Sequence, residues 1–143
     1  MQLTLTTLLG TKVDRIIYEL IIPTVDGEIA IFPGHEPLVT LAKSGMITIR
    51  NKKTDSNDEL EYLAITKGIM KISQKSVDLL VDEADHGRDI SENEVKLALE
   101  RAIKMRDEAK DQVELDEAHQ LVDRHTVRLK VAGLQRRHRH DQD

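Results

Sequence analysis

Apolar and polar residues alternate along roughly the first 85 positions and then change period. Leu3-Thr4-Leu5-Thr6 alternates, and Arg15 to Ile22 is an isoleucine-rich run that Pro23 is expected to stop. Glu28 to Phe32 reads as a short strand, Met46 to Arg50 alternates again, and Asn51 to Asp58 is a polar turn. Leu60 to Thr66, Ile69 to Ser73 and Val77 to Val81 complete a series of short strands separated by turn signals. Such a series predicts a sandwich or barrel ending near Asp85.

After His86-Gly87 the apolar positions recur every three or four residues. Ser91-Glu92-Asn93-Glu94 has the form of a capping box, in which the Ser91 hydroxyl accepts from the Glu94 amide. Val95, Ala98, Ala102, Met105 and Ala109 then share a helical face. Asp111-Gln112-Val113-Glu114 offers a second, weaker cap, followed by Leu115, Ala118, Val122, His125, Leu129 and Ala132. The pattern predicts an αα-hairpin with alanines allowing close approach. No Gly or Pro interrupts Glu92 to Ala132, so one continuous helix of about 60 Å is also permitted. Such a rod would need another protein to cover its stripe. The expected architecture is an N-terminal β-sandwich, residues 1–86, and a C-terminal antiparallel helical hairpin, residues 87–143.

Composition narrows the function. With 39% apolar and 33% charged residues, the 143-residue chain has a soluble, globular balance. One Phe, two Tyr and no Trp argue against single-stranded nucleic-acid binding through stacking platforms. The absence of cysteine removes disulfides, thiolate metal sites and a cysteine nucleophile. Neither a signal peptide nor an apolar run of spanning length is expected, which suggests a cytosolic protein. From Arg124 onward six Arg or Lys face two Asp, so the tail carries +4 and the rest of the chain −9. A basic tail on an acidic body suggests an acidic partner surface, or a solvated end.

The segment 26–45, DGEIAIFPGHEPLVTLAKSG, lies beside Pro23 and contains Pro33, Pro37, Gly27, Gly34 and Gly45. Proline fixes φ and glycine permits φ > 0, so much of its shape is set by its backbone. Asp26-Gly27 and Pro33-Gly34-His35 read as turns. Gly27-Glu28-Ile29-Ala30-Ile31-Phe32-Pro33-Gly34-His35-Glu36-Pro37-Leu38 resembles the G-E-(hydrophobic)-x-I-x-P-G-H-x-P-L signature of the epsilon subunit of bacterial F-type ATP synthases. Gly45 and Gly68 also fall where that family carries glycines. The resemblance is strong through the β-domain and looser after about residue 90.

No catalytic constellation is present: the chain lacks a phosphate loop, a G-x-S-x-G elbow and H-E-x-x-H. His35 has no evident nucleophile or orienting partner and is expected to hold its turn by bonding loop backbone. His125 is expected to pack. Arg137-His138-Arg139-His140-Asp141 is a poor metal site, because flanking arginines repel a cation. Family members that bind ATP on this subunit carry I/L-D-x-x-R-A at the start of the first helix. Here Ile90-Ser91-Glu92-Asn93-Glu94-Val95 keeps only the isoleucine, and Glu94 reverses the charge of the arginine. Glu100-Arg101-Ala102 is similar to the family's E-R-A, and Arg124 with Arg128-Leu129 resembles its R-A-x-x-R-L. Weak or absent ATP binding is expected, with no cofactor, metal or catalytic residue assigned.

The resemblance implies a non-catalytic rotor subunit at the cytoplasmic face of the bacterial plasma membrane. Its sandwich would bind the gamma subunit and rest on the ring of c subunits, coupling proton flow to ATP synthesis. The implied docking residues are Glu28, Ile31, Pro33, Gly34, His35 and Pro37. The helices would reach the alpha and beta subunits and restrain ATP hydrolysis, with Arg124 and Arg128 as the inhibitory contacts. The alternative is a free-standing β-sandwich adaptor with a helical dimerisation arm.

Overall fold

The computed structural model describes residues 1–142, with side chains through His138. Ten strands precede two helices: β1 (Gln2–Thr7), β2 (Gly10–Ile16), β3 (Glu19–Thr24), β4 (Gly27–Ile31), β5 (Leu38–Ala42), β6 (Gly45–Arg50), β7 (Glu61–Ile65), β8 (Gly68–Ile72), β9 (Ser76–Val81), β10 (Ala84–His86), α1 (Glu92–Asp107) and α2 (Gln112–Gln142). The strands run in the order β10-β7-β6-β3-β5-β8-β9-β1-β2, with β4 on the side of β3. Only Thr24↔Ala42 joins β3 to β5. On either side of that link the inward residues of both halves meet in one aliphatic core, including Leu3, Leu5, Leu20, Ile22, Ile31, Ile47, Ile49, Leu63, Met70 and Leu79. This is the expected sandwich.

Two sequence-based boundaries need correction. Arg15 to Ile22 is not one strand, because the chain changes layers at Ile17–Tyr18. The Ile17 amide donates to Met1 O (2.8 Å), beside β1, and the next amide, Tyr18, donates to Arg50 O (2.9 Å), beside β6. Pro23 does not stop β3 but lies within it. The β3–β6 ladder ends at Ile21↔Thr48, so the missing N–H of Pro23 opens no gap in it. Two strands were not expected, β5, hidden behind Pro33 and Pro37, and the three-residue β10, and β2 begins at Gly10, well before the run read from Arg15.

Strand β7 is buried on both faces, which explains its nearly unbroken apolar run. Leu63 and Ile65 point into the sandwich. Tyr62 and Ala64 belong to a second cluster with Ile90, Val95, Val131 and Ala132, contributed by the helical segment. Ser91 caps α1 as expected, its hydroxyl accepting from the Glu94 amide at 3.3 Å. Asp111 accepts from the Glu114 amide at 2.8 Å at the start of α2. The helices are therefore separate elements that pack on each other and, through α2, on β6 and β7. Met105 departs from the expected stripe: it is exposed, while Val95 and Ala102 are buried.

Close approach at the domain junction depends on a missing side chain. A Cβ on Gly87 would stand 2.9 Å from Gln135 Cβ and 3.1 Å from both Tyr62 O and Val131 Cγ1. Strands end at His86 and the first α-helix begins at Glu92, so Gly87 lies where strand gives way to helix.

Candidate functional site

The shaped loop follows β4. The His35 amide donates to Phe32 O at 3.2 Å, closing a four-residue turn with Pro33 and Gly34 at its centre. Gly34 has φ +90°, the left-handed value that a type II turn requires at its third position. Its own amide donates to Gln74 O at 2.9 Å, tying the turn to the β8–β9 connection. His35 Nδ1 donates to Glu36 O at 2.7 Å, so the ring holds loop backbone as expected. Tyr18 supports the start of the loop, meeting Phe32 edge to face at 5.6 Å.

Not every residue assigned to this loop can present itself. Pro33, Gly34, Glu36 and Pro37 are exposed and His35 is half-buried. Ile31 is completely buried in the sandwich core, so it anchors the strand and offers no side chain to a partner. Glu28 is exposed but pairs with Pro23 at the other end of β4. Five residues of strand place it about 17 Å from the Pro33 turn. The expected single docking patch thus divides into two places.

The second layer carries an uncovered apolar row. Leu41, Ile69 and Leu80 stand directly opposite one another across β5, β8 and β9, and each is about half exposed. Val25, whose amide donates to Leu41 O, extends the row at one end. Leu8 and Leu9, 79% and 93% exposed at the β1–β2 turn, present two more apolar side chains beyond β1. The neighbouring row on the same face is mixed: exposed Val39 stands opposite Lys71, and Lys71 opposite Asp78. Sequence reading missed the apolar row, although Leu41, Ile69 and Leu80 each occupy the outward phase of an alternating strand.

The helical tail is occupied. Arg124 pairs with Glu83 and Arg128 with Asp85, both on the sandwich. Arg136 Nε donates to Glu92 Oε1 at 2.9 Å, within the hairpin. Beside the first two pairs lies a cleft of about 510 Å³, also lined by Lys67, Asp82, Asp123 and Val127. His125, on the α1-facing stripe, has a buried Nδ1 with no partner. Burial, and then the positive charges of Arg124, Arg128 and Arg101, push its pKa down. No group of metal-ligating side chains occurs among the described residues, and Arg139, His140 and Asp141 of the sequence-predicted cluster lie outside the described side chains.

Residues 1–87 match the family described as ATP synthase, Delta/Epsilon chain, beta-sandwich domain. The chain belongs to that family. The match covers the whole sandwich, so this delta/epsilon-type chain is an accessory component and not one of the catalytic subunits. Its similarity also runs into the helices. An ATP synthase epsilon chain of Staphylococcus aureus strain JH9 is 29% identical over 126 residues, covering 87% of this chain and 90% of the relative.

Two solved structures share the fold of this delta/epsilon-type chain. One is a chain of the Euglena gracilis mitochondrial ATP synthase, in a structure of OSCP, F1 and c-ring in rotational state 1. It has a TM-score of 0.76 and 20% identity, covering 91% of this chain and 79% of that one. The other comes from the central stalk and c-ring of the Tetrahymena thermophila enzyme, with a TM-score of 0.58, 14% identity and coverage of 90% and 96%. No described helix is long and apolar enough to cross a membrane.

Proposed function

We propose that this chain is the epsilon subunit of a bacterial F-type ATP synthase. It helps couple proton flow to ATP synthesis and restrains hydrolysis through its helices. It sits peripherally at the cytoplasmic face of the plasma membrane. The Pro33–Pro37 loop meets the c ring, and the apolar row meets the gamma subunit. The observation that carries the reading is that row: Leu41, Ile69 and Leu80 lie in register on the sandwich face that the hairpin leaves open. A contiguous apolar surface of this kind marks a protein interface. The reading is also supported by the fold shared with a chain of a mitochondrial OSCP, F1 and c-ring assembly and a chain of a central stalk and c-ring assembly. The adaptor reading loses support because Val95, Ala102, Ala118 and Ala132, the stripe of its supposed dimerisation arm, are already buried within one chain.

Affinity purification of the tagged chain from its native membrane tests the proposal. Co-elution with alpha, beta and gamma subunits is expected, and loss of gamma from a Leu41→Glu, Ile69→Glu variant. Elution as a homodimer alone overturns the rotor reading.

A further inference from the structure

We propose that β4 is a strand acceptor. Its free edge takes an extended, Lys- or Arg-bearing segment of another subunit as an added antiparallel strand. This rests on the reading that the chain sits in a multisubunit assembly.

The backbone shows which groups are free. The Lys43 amide donates to Pro23 O at 2.9 Å, so the Pro23 carbonyl points away from β4. Pro23 also has no N–H to give, and the pair Pro23↔Glu28 therefore exchanges no ladder bond. Such pairs alternate with bonded ones along an antiparallel ladder. Ile29 and Ile31 thus hold β3, while Glu28 and Ala30 direct their amides and carbonyls to the open side. Both residues are exposed and about 6.8 Å apart, the spacing at which one antiparallel strand takes up all four groups. Among the described residues, no turn or loop backbone bond reaches Glu28 through Ile31. The loop beyond them leaves for the β8–β9 connection, where the Gly34 amide is held.

The other strand edges are guarded. On β2 stand Lys12, Asp14 and Arg15, its ladder to β1 shifts register after Leu5, and Lys12 O is bonded to His86 Nε2 at 3.2 Å. Strand β10 has only three residues, and the Val25 amide engages β5 at Leu41 O. Short strands, charges and bulges are the usual protection against strand addition. By contrast, β4 keeps an unbroken register and contains neither Lys nor Pro.

Its surroundings select the occupant. Residues 16–42 include no Lys or Arg. Glu19 is paired with Arg50, but Asp26, Glu28 and Glu36 are exposed. A second copy of β4 would set carboxylates against carboxylates, whereas Lys or Arg on the incoming segment complements them. Main-chain bonds then supply affinity, and charge supplies orientation.

Hydrogen exchange on the isolated full-length chain and on the purified ATP synthase tests this directly. The Glu28 and Ala30 amides are expected to exchange freely in the former and at least about 10-fold more slowly in the latter. Ala30→Pro deletes an outward donor without touching the bonds to β3, and should weaken assembly by about 5- to 150-fold. Ala30→Val keeps that donor and should assemble normally. Asp26→Lys with Glu28→Lys should also weaken assembly, and undiminished assembly of that variant overturns the basic partner. Equal losses from the Pro and Val variants overturn backbone recognition. Concentration-dependent protection of Ala30 in the isolated chain gives the edge to a second copy and overturns the assignment. An unprotected Ala30 within the complex overturns the inference and leaves the rotor reading standing, whereas a chain that purifies without partners overturns both.

Discussion

The backbone N–H of Tyr62 on β7 donates to Gln135 Oε1 on α2 at 2.9 Å, across 73 positions of sequence. Around this bond α2 covers the outer face of β7, with Gly87 leaving room for Val131 and Gln135. None of the residues of the sandwich core, however, comes from a helix. A fragment ending at Gly87 is therefore expected to unfold in one cooperative urea transition. Its Tyr62 amide should exchange freely, and Tyr62 and Ala64 should add to its exposed apolar surface. A non-cooperative transition would mean that the helices are part of the folding unit.

The Pro33–Pro37 loop is expected to dock by shape. A Cβ at Gly34 would meet nothing within 4 Å, so substitution there acts through φ +90° and not through a clash. Gly34→Val should cost about 1–3 kcal/mol of backbone strain and weaken assembly with the c ring, while the isolated chain stays folded. Glu28→Gln, at the far end of β4, should change assembly by no more than about 0–1 kcal/mol. Equal losses in a reconstitution assay would show that charge directs the contact.

The sandwich was legible because most strands bury one face, which leaves an alternating signal in Leu3 to Thr6 and Met46 to Arg50. Where a residue answers to two elements, the signal fails. The layer change at Ile17–Tyr18 lies inside a continuous apolar run, and β5 hides in a segment whose prolines suggest loop throughout. Both helix caps were readable, since a cap is local. The carboxylates that hold the tail were not, for Arg124 and Arg128 reach partners 41 and 43 positions away. The acidic run Asp82-Glu83-Ala84-Asp85 was visible. Only the packing of α2 gives it a function.

Stability of the docked hairpin should fall in mild acid. His125 has its pKa lowered in the folded chain, chiefly by burial and then by neighbouring arginines. A histidine with a depressed folded pKa contributes fully above its unfolded value, near about 6.5. Its contribution is lost as pH falls from there through the lowered value, because a state in which α2 has parted from α1 and the sandwich binds the proton more readily. Tyr62 exchange protection should thus decline below pH ~6.5, and His125→Gln should remove that part of the dependence. A wild-type profile matching that of the variant would exclude His125 as the source.

ATP is not expected to bind in the cleft beside α2. The arginines that would meet phosphate already hold Glu83 and Asp85, and Asp82 and Asp123 add further negative charge to its lining. The Glu94 side chain, also negative, lies exposed in the first turn of α1. Calorimetry of the isolated chain at millimolar ATP should show no saturable heat. A dissociation constant of about tens of micromolar, roughly −6 kcal/mol, would overturn this and require the ion pairs to open.

Truncation after Leu115 should raise ATP hydrolysis by the assembled complex and leave synthesis largely intact. It removes most of α2, including both arginines, but none of the sandwich core or the Pro33–Pro37 loop. Each charge-assisted contact to an acidic partner would contribute about 1.5–3 kcal/mol if desolvated and far less if wet. Arg124→Ala with Arg128→Ala removes those contacts while keeping the helix, so it should give only part of the gain. Because the same substitutions also free the hairpin from Glu83 and Asp85, Tyr62 exchange should accelerate in this variant alongside the change in hydrolysis. Hydrolysis that stays constant in both the truncation and the double substitution would reduce the tail to a passive cover for β7.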